Sequence, residues 1–187
     1  MTLWKKCAAL GALSALFVGC TTSTTVQNSP SASAATQQTV SIYAVSAQGI
    51  GQHLGQVTLQ DTKDGLKISP QLTGLPEGLR GFHIHENPSC QAAEKDGVMG
   101  AALAAGAHYN PHQVPNHGTP LNGHLGDLPS LVVTANGTAN TPVVAPRLTL
   151  ADVKNRAIMV HAGGDNYADH PAPLGGGGAR IACGVIQ

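Results

Sequence analysis

Short runs in which apolar and polar residues alternate recur from about residue 39 to the end of the chain, and this alternation restricts the fold more than any other feature. A period of two places successive side chains on opposite faces of a strand, and no long stretch of 3.6-residue period competes with it. The pattern predicts an all-β fold, an eight-stranded antiparallel sandwich or flattened barrel. The strands are expected at residues 40–45, 53–59, 66–72, 81–86, 131–135, 141–145, 156–161 and 180–186, with one helical turn at 150–153.

Two connections between these strands are much longer than the rest. The first long loop spans residues 87–129, and the second long loop spans residues 163–179. Connections of this length without structure of their own are uncommon in compact domains unless they carry function. Four of the nine histidines lie in the first long loop, so we expect functional loops here.

The N-terminal residues 1–19 have the pattern of a secretory signal peptide. Two lysines precede an apolar stretch of 11 residues, 8–18, which is too short to span a bilayer. The stretch ends in Phe-Val-Gly-Cys, which resembles the sequence around the lipid-accepting cysteine of bacterial lipoproteins, here Cys20. We therefore expect a protein of the periplasm or cell envelope that is lipid-anchored at Cys20. The alternative is a soluble periplasmic form cleaved after the Ala-Ser-Ala pattern near Ala34.

Residues 20–38 are rich in Thr, Ser, Gln and Ala and carry no charge, which predicts a flexible tether ahead of a single domain at residues 39–187. Removal of the signal and its two lysines leaves eight of the ten basic side chains, against ten acidic ones. This balance offers no basic surface for nucleic acid, and membrane contact is expected only through the N-terminal lipid. Cys90 and Cys183 remain in the exported domain, where two cysteines most often pair.

Three histidines lie in predicted strands from which their side chains can converge. His83 and His85 are two residues apart, so both emerge on the same face of their strand and can bind one metal ion. By itself, this pattern also arises from polar alternation on a solvent-exposed face. His161 ends the seventh predicted strand and could approach the pair. Three or four imidazoles without sulfur ligands suit Cu(II).

The first long loop adds a second set of residues that bind metals: His108, His117, His124 and Asp127. Three imidazoles and one carboxylate make a four-coordinate set for Zn²⁺, and four protein ligands leave no open position, as in structural zinc sites. A single histidine in a loop is usually a solvated residue. Six of nine histidines in two ligand sets are poorly explained in that way, so the sequence favours two metal sites.

Four segments resemble signatures of the copper/zinc superoxide dismutases: residues 81–86 (GFHIHE), 106–111 (GAHYNP), 123–129 (GHLGDLP) and 178–186 (GARIACGVI). Residues 159–166 and the glycine run 175–178 resemble the bacterial branch of that family. The resemblance covers nearly all of residues 40–187, in order. It implies a Greek-key sandwich enzyme that converts superoxide into O₂ and H₂O₂ with one copper and one zinc ion per subunit.

The resemblance also implies a role for each candidate site residue. The copper ligands would be His83, His85, His108 and His161. The zinc ligands would be His108, His117, His124 and Asp127, so that His108 bridges the two ions as an imidazolate. Arg180 corresponds to the active-site arginine, which attracts and positions the superoxide anion.

Three further features follow from the same resemblance. Asp165 corresponds to an aspartate that accepts the free N–H groups of His83 and His117, and Cys90 and Cys183 correspond to the family's disulfide. The glycine run lacks the Lys-Ser/Thr and the helix of a phosphate-binding loop, so we interpret it as backbone that approaches the copper channel. The histidines left over are interpreted as solvated residues: His53, His112 and His170.

Two other functions are open to a chain of this kind. A non-enzymatic copper/zinc buffer or metal-delivery module on the same fold would typically lack a copper ligand or the arginine, whereas His161 and Arg180 are both present. A structural envelope lipoprotein with incidental metal binding would hold no redox-active copper. The oligomeric state is open between a monomer and a dimer, and a homodimer is favoured.

Overall fold

The computed structural model describes residues 37–187 of the chain. This part contains eleven strands, one short α-helix and two 3₁₀ turns, joined by loops. The strands are β1 (Gln37–Ser46), β2 (Gly49–Thr62), β3 (Gly65–Leu72), β4 (Gly78–Arg80), β5 (Phe82–His85), β6 (Ala93–Lys95), β7 (Val98–Gly100), β8 (Leu131–Val133), β9 (Val143–Ala145), β10 (Arg156–His161) and β11 (Arg180–Ile186). The helix α1 spans Leu150–Val153, as predicted, and the 3₁₀ turns span Leu103–Ala105 and Leu174–Gly176.

Seven strands form one antiparallel sheet in the order β5-β10-β11-β1-β2-β3-β9, and the pairs β4–β8 and β6–β7 form two small sheets. The predicted all-β antiparallel fold is therefore confirmed. Each of the eight predicted strands is present, but the predicted number was wrong because β4, β6 and β7 were missed. The first and last strands are central neighbours, β1 beside β11, so both ends of the domain are fixed within the sheet.

The core forms where the sheet encloses the apolar face of its own strands. Alternate positions of β2 and β3, such as Val57, Leu59, Leu66 and Ile68, are fully buried in one large cluster. All four residues of β5 are buried, because Phe82 and Ile84 join this cluster while the side chains between and after them face the other way. Burial of both faces makes β5 a rigid base for polar side chains.

The two long loops carry more regular structure than the sequence predicted. In the first, β6 and β7 form a hairpin about the turn Asp96-Gly97, whose φ angles of 54° and 80° are both positive. An Asp-Gly pair between short strands is a typical signal for such a turn, and this signal was available in the sequence. In the second, the 3₁₀ turn Leu174–Gly176 interrupts the predicted coil.

A disulfide joins Cys90 in the first long loop to Cys183 in β11, as predicted, with a Cα–Cα distance of 5.7 Å. Around it lies a second, smaller buried cluster that includes Ala102, Ala105 and Met159. The disulfide and this cluster hold the start of the first long loop against the sheet.

At the N-terminus, β1 begins at Gln37, two residues ahead of the predicted domain start. The predicted signal peptide, the predicted lipidation site Cys20 and most of the predicted tether lie outside the described residues. Within residues 37–187, no helix combines the length and apolar character needed to cross a membrane.

Candidate metal centre and active site

Strand β5 presents two histidines toward the first long loop. His83 and His85 are 0% and 1% exposed and lie on the same face of the strand. Isolated backbone bridges pair His83 with Asp127 and His85 with His108. The first long loop therefore runs back beside β5, and its candidate metal ligands meet those of the strand.

His161 and Arg180 meet at the end of β10 and β11. The two strands pair in regular antiparallel register up to Val160 and Ala182, after which His161 pairs with Arg180. Regular pairing would have placed Ile181 opposite His161, so β11 holds one extra residue, a β-bulge that redirects the following side chain. The bulge brings the predicted arginine beside the last predicted copper ligand.

The structure brings the candidate ligands together in two groups, within each of which the potential ligand atoms lie within 4.8 Å of one another. One group is His83, His85, His108 and His161, which are the four predicted copper ligands. The other group is His83, His108, His117 and Asp127. His124 lies just outside it, with its Nδ1 atom 3.5 Å from Oδ1 of Asp127. Among the described residues, His53, His112 and His170 belong to neither group.

Hydrogen bonds fix which ring nitrogen faces the first group. His85 donates from Nδ1 to the carbonyl of Gly106 at 3.0 Å, and His161 donates from Nδ1 to the carbonyl of Gly178 at 3.2 Å. The Nε2 atoms of these two rings then point at each other, 3.4 Å apart. A nitrogen whose ring partner is engaged as a donor is the usual metal-binding atom of a histidine.

Three buried nitrogens in the site make no hydrogen bond of good geometry: Nδ1 of His83, His117 and His124, although that of His117 lies 3.1 Å from Oδ2 of Asp127. Buried polar atoms in proteins are almost always satisfied, so a cluster of unsatisfied ones needs an explanation. All three can act as metal ligands, and they lie beside the carboxylate of Asp127 and the ring of His108, whose Nδ1 is 3.0 Å from Asp127 Oδ1. The donor set, imidazoles and one carboxylate, fits Zn²⁺ on one side and copper on the other.

Asp165 connects the two groups from the second long loop. Its Oδ2 accepts from Nε2 of His83 and its Oδ1 accepts from Nε2 of His117, both at 2.8 Å. These are the contacts that the resemblance implied for Asp165. Gly175 packs against the carboxylate so closely that a Cβ atom would lie 2.0 Å from Oδ1. The glycine run therefore approaches the site with its backbone, as we interpreted it.

Burial and charge set the protonation of the rings. Burial lowers the pKa of His83 to about 4 and that of His161 to about 3, and it lowers the pKa of His85 well below the usual value. These rings are neutral at pH 7, the form that binds metals. For His117, burial alone would lower the pKa, but the carboxylates of Asp127 and Asp165 outweigh it and raise the pKa to about 9. A metal ion at Nδ1 of His117 must therefore displace a proton.

A cavity of about 290 Å³ opens onto the histidines of the first group. We call it the active-site cavity; it is lined by His85, Leu103, Ala107, His108, His161, Pro173, Leu174, Gly178 and Arg180. The guanidinium of Arg180 is held by the carbonyls of Ala102 and Gly106, at 2.6 and 2.5 Å. Among its lining residues, Arg180 alone is cationic when the histidines are neutral, so the cavity suits a small anion.

Known proteins resemble this chain in both sequence and fold. Residues 53–186 match the family model described as copper/zinc superoxide dismutase. The chain belongs to the copper/zinc superoxide dismutase family. It is 57% identical to the Cu-Zn superoxide dismutase of Pasteurella multocida over 139 residues, which cover 73% of this chain and 75% of that protein.

Solved structures of the family agree in fold. The Cu/Zn superoxide dismutase of Brucella abortus superposes with a TM-score of 0.79 at 49% identity, over 81% of this chain and 99% of that one. The monomeric enzyme of Salmonella enterica gives a TM-score of 0.73 at 53% identity, again over 81% and 99%. The chain is thus an oxidoreductase that uses copper and zinc to dismute superoxide.

Two residues that hold the site together, Arg147 and Asp169, were not predicted from the sequence. The side chain of Arg147 donates to the carbonyls of Pro120, Gly123 and His124, at 2.7 to 2.9 Å. Asp169 accepts from the backbone N–H groups of His117 and Leu174. Both side chains bind backbone groups, and no sequence motif marks such a role. Only their position in or near the long loops could have indicated that they support the site.

Proposed function

We propose that copper is bound by Nδ1 of His83 and by Nε2 of His85, His108 and His161. The observation that carries this assignment is the direction of the free ring nitrogens. Each of His83, His85 and His161 is fixed by a hydrogen bond on one nitrogen, to Asp165, Gly106 and Gly178, and is left free on the other. The His85 and His161 nitrogens are only 3.4 Å apart, a distance that a shared ion accounts for.

The second part of the proposal is that zinc is bound by Asp127 and by the Nδ1 atoms of His108, His117 and His124. His108 is the shared ring, because its Nδ1 lies on the side of Asp127 and its Nε2 is left for the copper group. Asp127 is held by backbone N–H groups of Gly118 and His124, at 3.0 and 2.8 Å, so its carboxylate is fixed before any metal binds. Four protein ligands leave no open position, which makes this ion structural.

Bound copper supplies one-electron exchange with superoxide, and bound zinc supplies a fixed positive charge beside the shared ring. Overall, two superoxide ions and two protons give O₂ and H₂O₂, so the site must deliver protons as well as electrons. His108 is suited to hold a proton at Nε2 whenever that nitrogen is not bound to copper, and to donate the proton to the substrate oxygen that is being reduced. Asp127 and the buried neighbours of His108 keep the ring orientation constant during this transfer.

Arg180 supplies the attraction for the substrate. Outside its signal segment the chain has more acidic than basic side chains, so a superoxide anion needs a local positive charge. The guanidinium is fixed by two backbone carbonyls at the wall of the active-site cavity, and its planar fork can both attract and orient a diatomic anion.

The protein acts outside the cytoplasm, in the periplasm or cell envelope, where it removes extracytoplasmic superoxide. The Cys90–Cys183 disulfide supports this location, because such bonds persist in oxidising compartments. The signal pattern supports anchoring through lipidated Cys20. A homodimer is supported by Leu79 and Val132, which lie opposite each other in the β4–β8 sheet and are 59% and 40% exposed. Light scattering of the purified protein distinguishes this dimer from a monomer.

The replacement His161→Ala tests the copper assignment. His161 belongs to the copper group alone. After incubation with both metals, we therefore expect the variant to bind zinc and to melt at the wild-type temperature. It should bind copper poorly and lose nearly all dismutase activity. His53→Ala is the matched control and should change none of these quantities. Substantial activity in a His161→Ala protein of verified metal content would contradict the proposal. A fully metal-loaded wild type without activity would favour a metal buffer.

A further inference from the structure

Asp169 joins the backbone of the first long loop to the backbone at the mouth of the active-site cavity. Its Oδ2 accepts from the backbone N–H of His117 at 3.0 Å, and its Oδ1 accepts from the backbone N–H of Leu174 at 3.2 Å. His117 lies in the first long loop and Leu174 in the second. One carboxylate thus joins backbone groups of the two loops, which Asp165 also connects through the side chain of His117. Asp169 does so without belonging to either metal-binding group.

Leu174 occupies a demanding position at the mouth of the active-site cavity. Its φ angle is 52°, a left-handed conformation that is uncommon for a residue other than glycine. Its side chain is 43% exposed and forms part of the cavity wall together with Arg180. The same side chain also lines the adjoining cavity of about 370 Å³. A leucine in this conformation needs an outside contact to hold it, and the Asp169 carboxylate provides one.

His117 is the other end of the connection. Its side chain is enclosed, with Nε2 bound to Asp165 and Nδ1 in the proposed zinc group. Zinc at Nδ1 would fix the ring and, through it, the backbone whose N–H group reaches Asp169. Asp165 links the side chains of the two metal groups, whereas Asp169 links the backbone of a zinc ligand to the wall of the substrate cavity.

We propose that Asp169 is a positioning residue through which zinc at His117 holds Leu174, and with it the mouth of the active-site cavity, in place beside Arg180. This inference rests on the proposed role of His117 as a zinc ligand. Zinc would then shape the path of the substrate in addition to stabilising the fold. Loss of one such hydrogen bond changes an equilibrium by roughly 2- to 12-fold. We therefore expect Asp169→Ala to lower kcat/KM by roughly 3- to 10-fold at unchanged copper and zinc content.

Amide hydrogen exchange at Leu174, followed by NMR on the reduced, copper- and zinc-loaded protein, tests the connection directly. In wild type, the Leu174 N–H should exchange slowly when zinc is bound and at least about tenfold faster after selective removal of zinc. In Asp169→Ala it should exchange fast in both states. Asp169→Asn keeps the shape of the side chain but only one acceptor oxygen, so the N–H of either His117 or Leu174 should lose protection.

Asp61→Ala is the matched control. Asp61 also accepts a backbone N–H of a leucine, that of Leu150 at 2.6 Å, but it lies on β2 and lines no part of the active-site cavity. This variant should leave exchange at Leu174 and kcat/KM unchanged. If Asp169→Ala binds zinc normally and leaves Leu174 exchange unaltered, or if zinc removal accelerates Leu174 equally in wild type and variant, the proposed connection is wrong. If zinc removal leaves His117 exchange unchanged even in wild type, the zinc assignment itself is wrong.

Discussion

His161 is paired with Arg180 across β10 and β11 because β11 carries one extra residue at this point. Without the bulge, Ile181 would lie opposite His161, and an apolar side chain would take the place of the guanidinium. The bulge therefore places a cation at the wall of the active-site cavity, beside the histidines proposed to bind copper. In the proposed mechanism, the bulge is why the residue that attracts the substrate lies next to the site of electron transfer.

Arg180→Ile tests the attraction separately from the metal chemistry. Electrostatic steering raises association rates by about tenfold or more, so we expect a comparable loss in kcat/KM at low salt. The fall in wild-type rate with added salt should flatten in the variant, since screening acts over about 10 Å at 0.1 M salt. Arg180→Lys keeps the charge without the planar fork and should lie between the two.

Lys154→Ile is the control for Arg180, because it removes the same charge from an exposed position away from the cavity. Rates and salt dependence should stay at wild-type values. A large loss in Arg180→Ile with an unchanged salt dependence would mean that the arginine positions bound substrate without steering it. Release of copper from that variant would show that its role is structural.

Asp127→Ala removes the only anionic ligand of the proposed zinc site. Zinc affinity should fall by about 100-fold or more, because loss of groups that merely support a ligand already costs about 10- to 100-fold. The melting temperature should fall with it, since metal binding contributes to the free energy of folding. Competition with a chelator and calorimetry measure both quantities. Asp64→Ala, at an exposed turn, is the control, and equal zinc affinities in the two variants would exclude Asp127 as a ligand.

Cys90→Ser opens the disulfide that fastens the first long loop to β11. Its cysteines are 93 residues apart, and in the chain-entropy model a closed loop of this size contributes about 4–5 kcal/mol to the free energy of unfolding. For a domain of this size, the melting temperature should fall by roughly 10 °C or more. Activity should fall as well, because Arg180 is held by carbonyls of the fastened segment, those of Ala102 and Gly106. A Cys90→Ser protein with wild-type melting and activity would contradict both expectations.

Cys20→Ala tests the location independently of the enzyme. The variant should lose its lipid and appear either as an uncleaved precursor or as a soluble form cleaved near Ala34. Fractionation of cells into membrane and soluble material measures the change, and activity of the soluble form should match wild type. Unaltered membrane partition of the variant would remove the proposed anchor.

The sequence was most informative where side-chain spacing and local structure coincide. His83 and His85 could be placed on one face of β5 from alternation alone, and α1 occurs at the predicted residues. The bridge between His83 and Asp127 could not be derived in this way, because a loop of more than 40 residues can meet a strand in many registers. That meeting was expected only from the family resemblance.

Sequence motifs do not identify side chains whose role is to bind backbone groups. Arg147 and Asp169 bind carbonyl and N–H groups of the long loops, and nothing in their neighbouring residues marks them. The β6–β7 hairpin is a different case, because Asp96-Gly97 is a recognisable turn signal. The histidines dominated the interpretation of the first long loop, and the hairpin was overlooked.

The most direct test of the two proposed metal sites is anomalous X-ray diffraction from crystals of the metal-loaded protein, with data collected at the copper and zinc absorption edges. We predict a copper peak among Nδ1 of His83 and the Nε2 atoms of His85, His108 and His161. A zinc peak should lie on the other side of His108, within bonding distance of Asp127. A copper peak away from His161, or a zinc peak that does not touch Asp127, would contradict the assignment of the two sites.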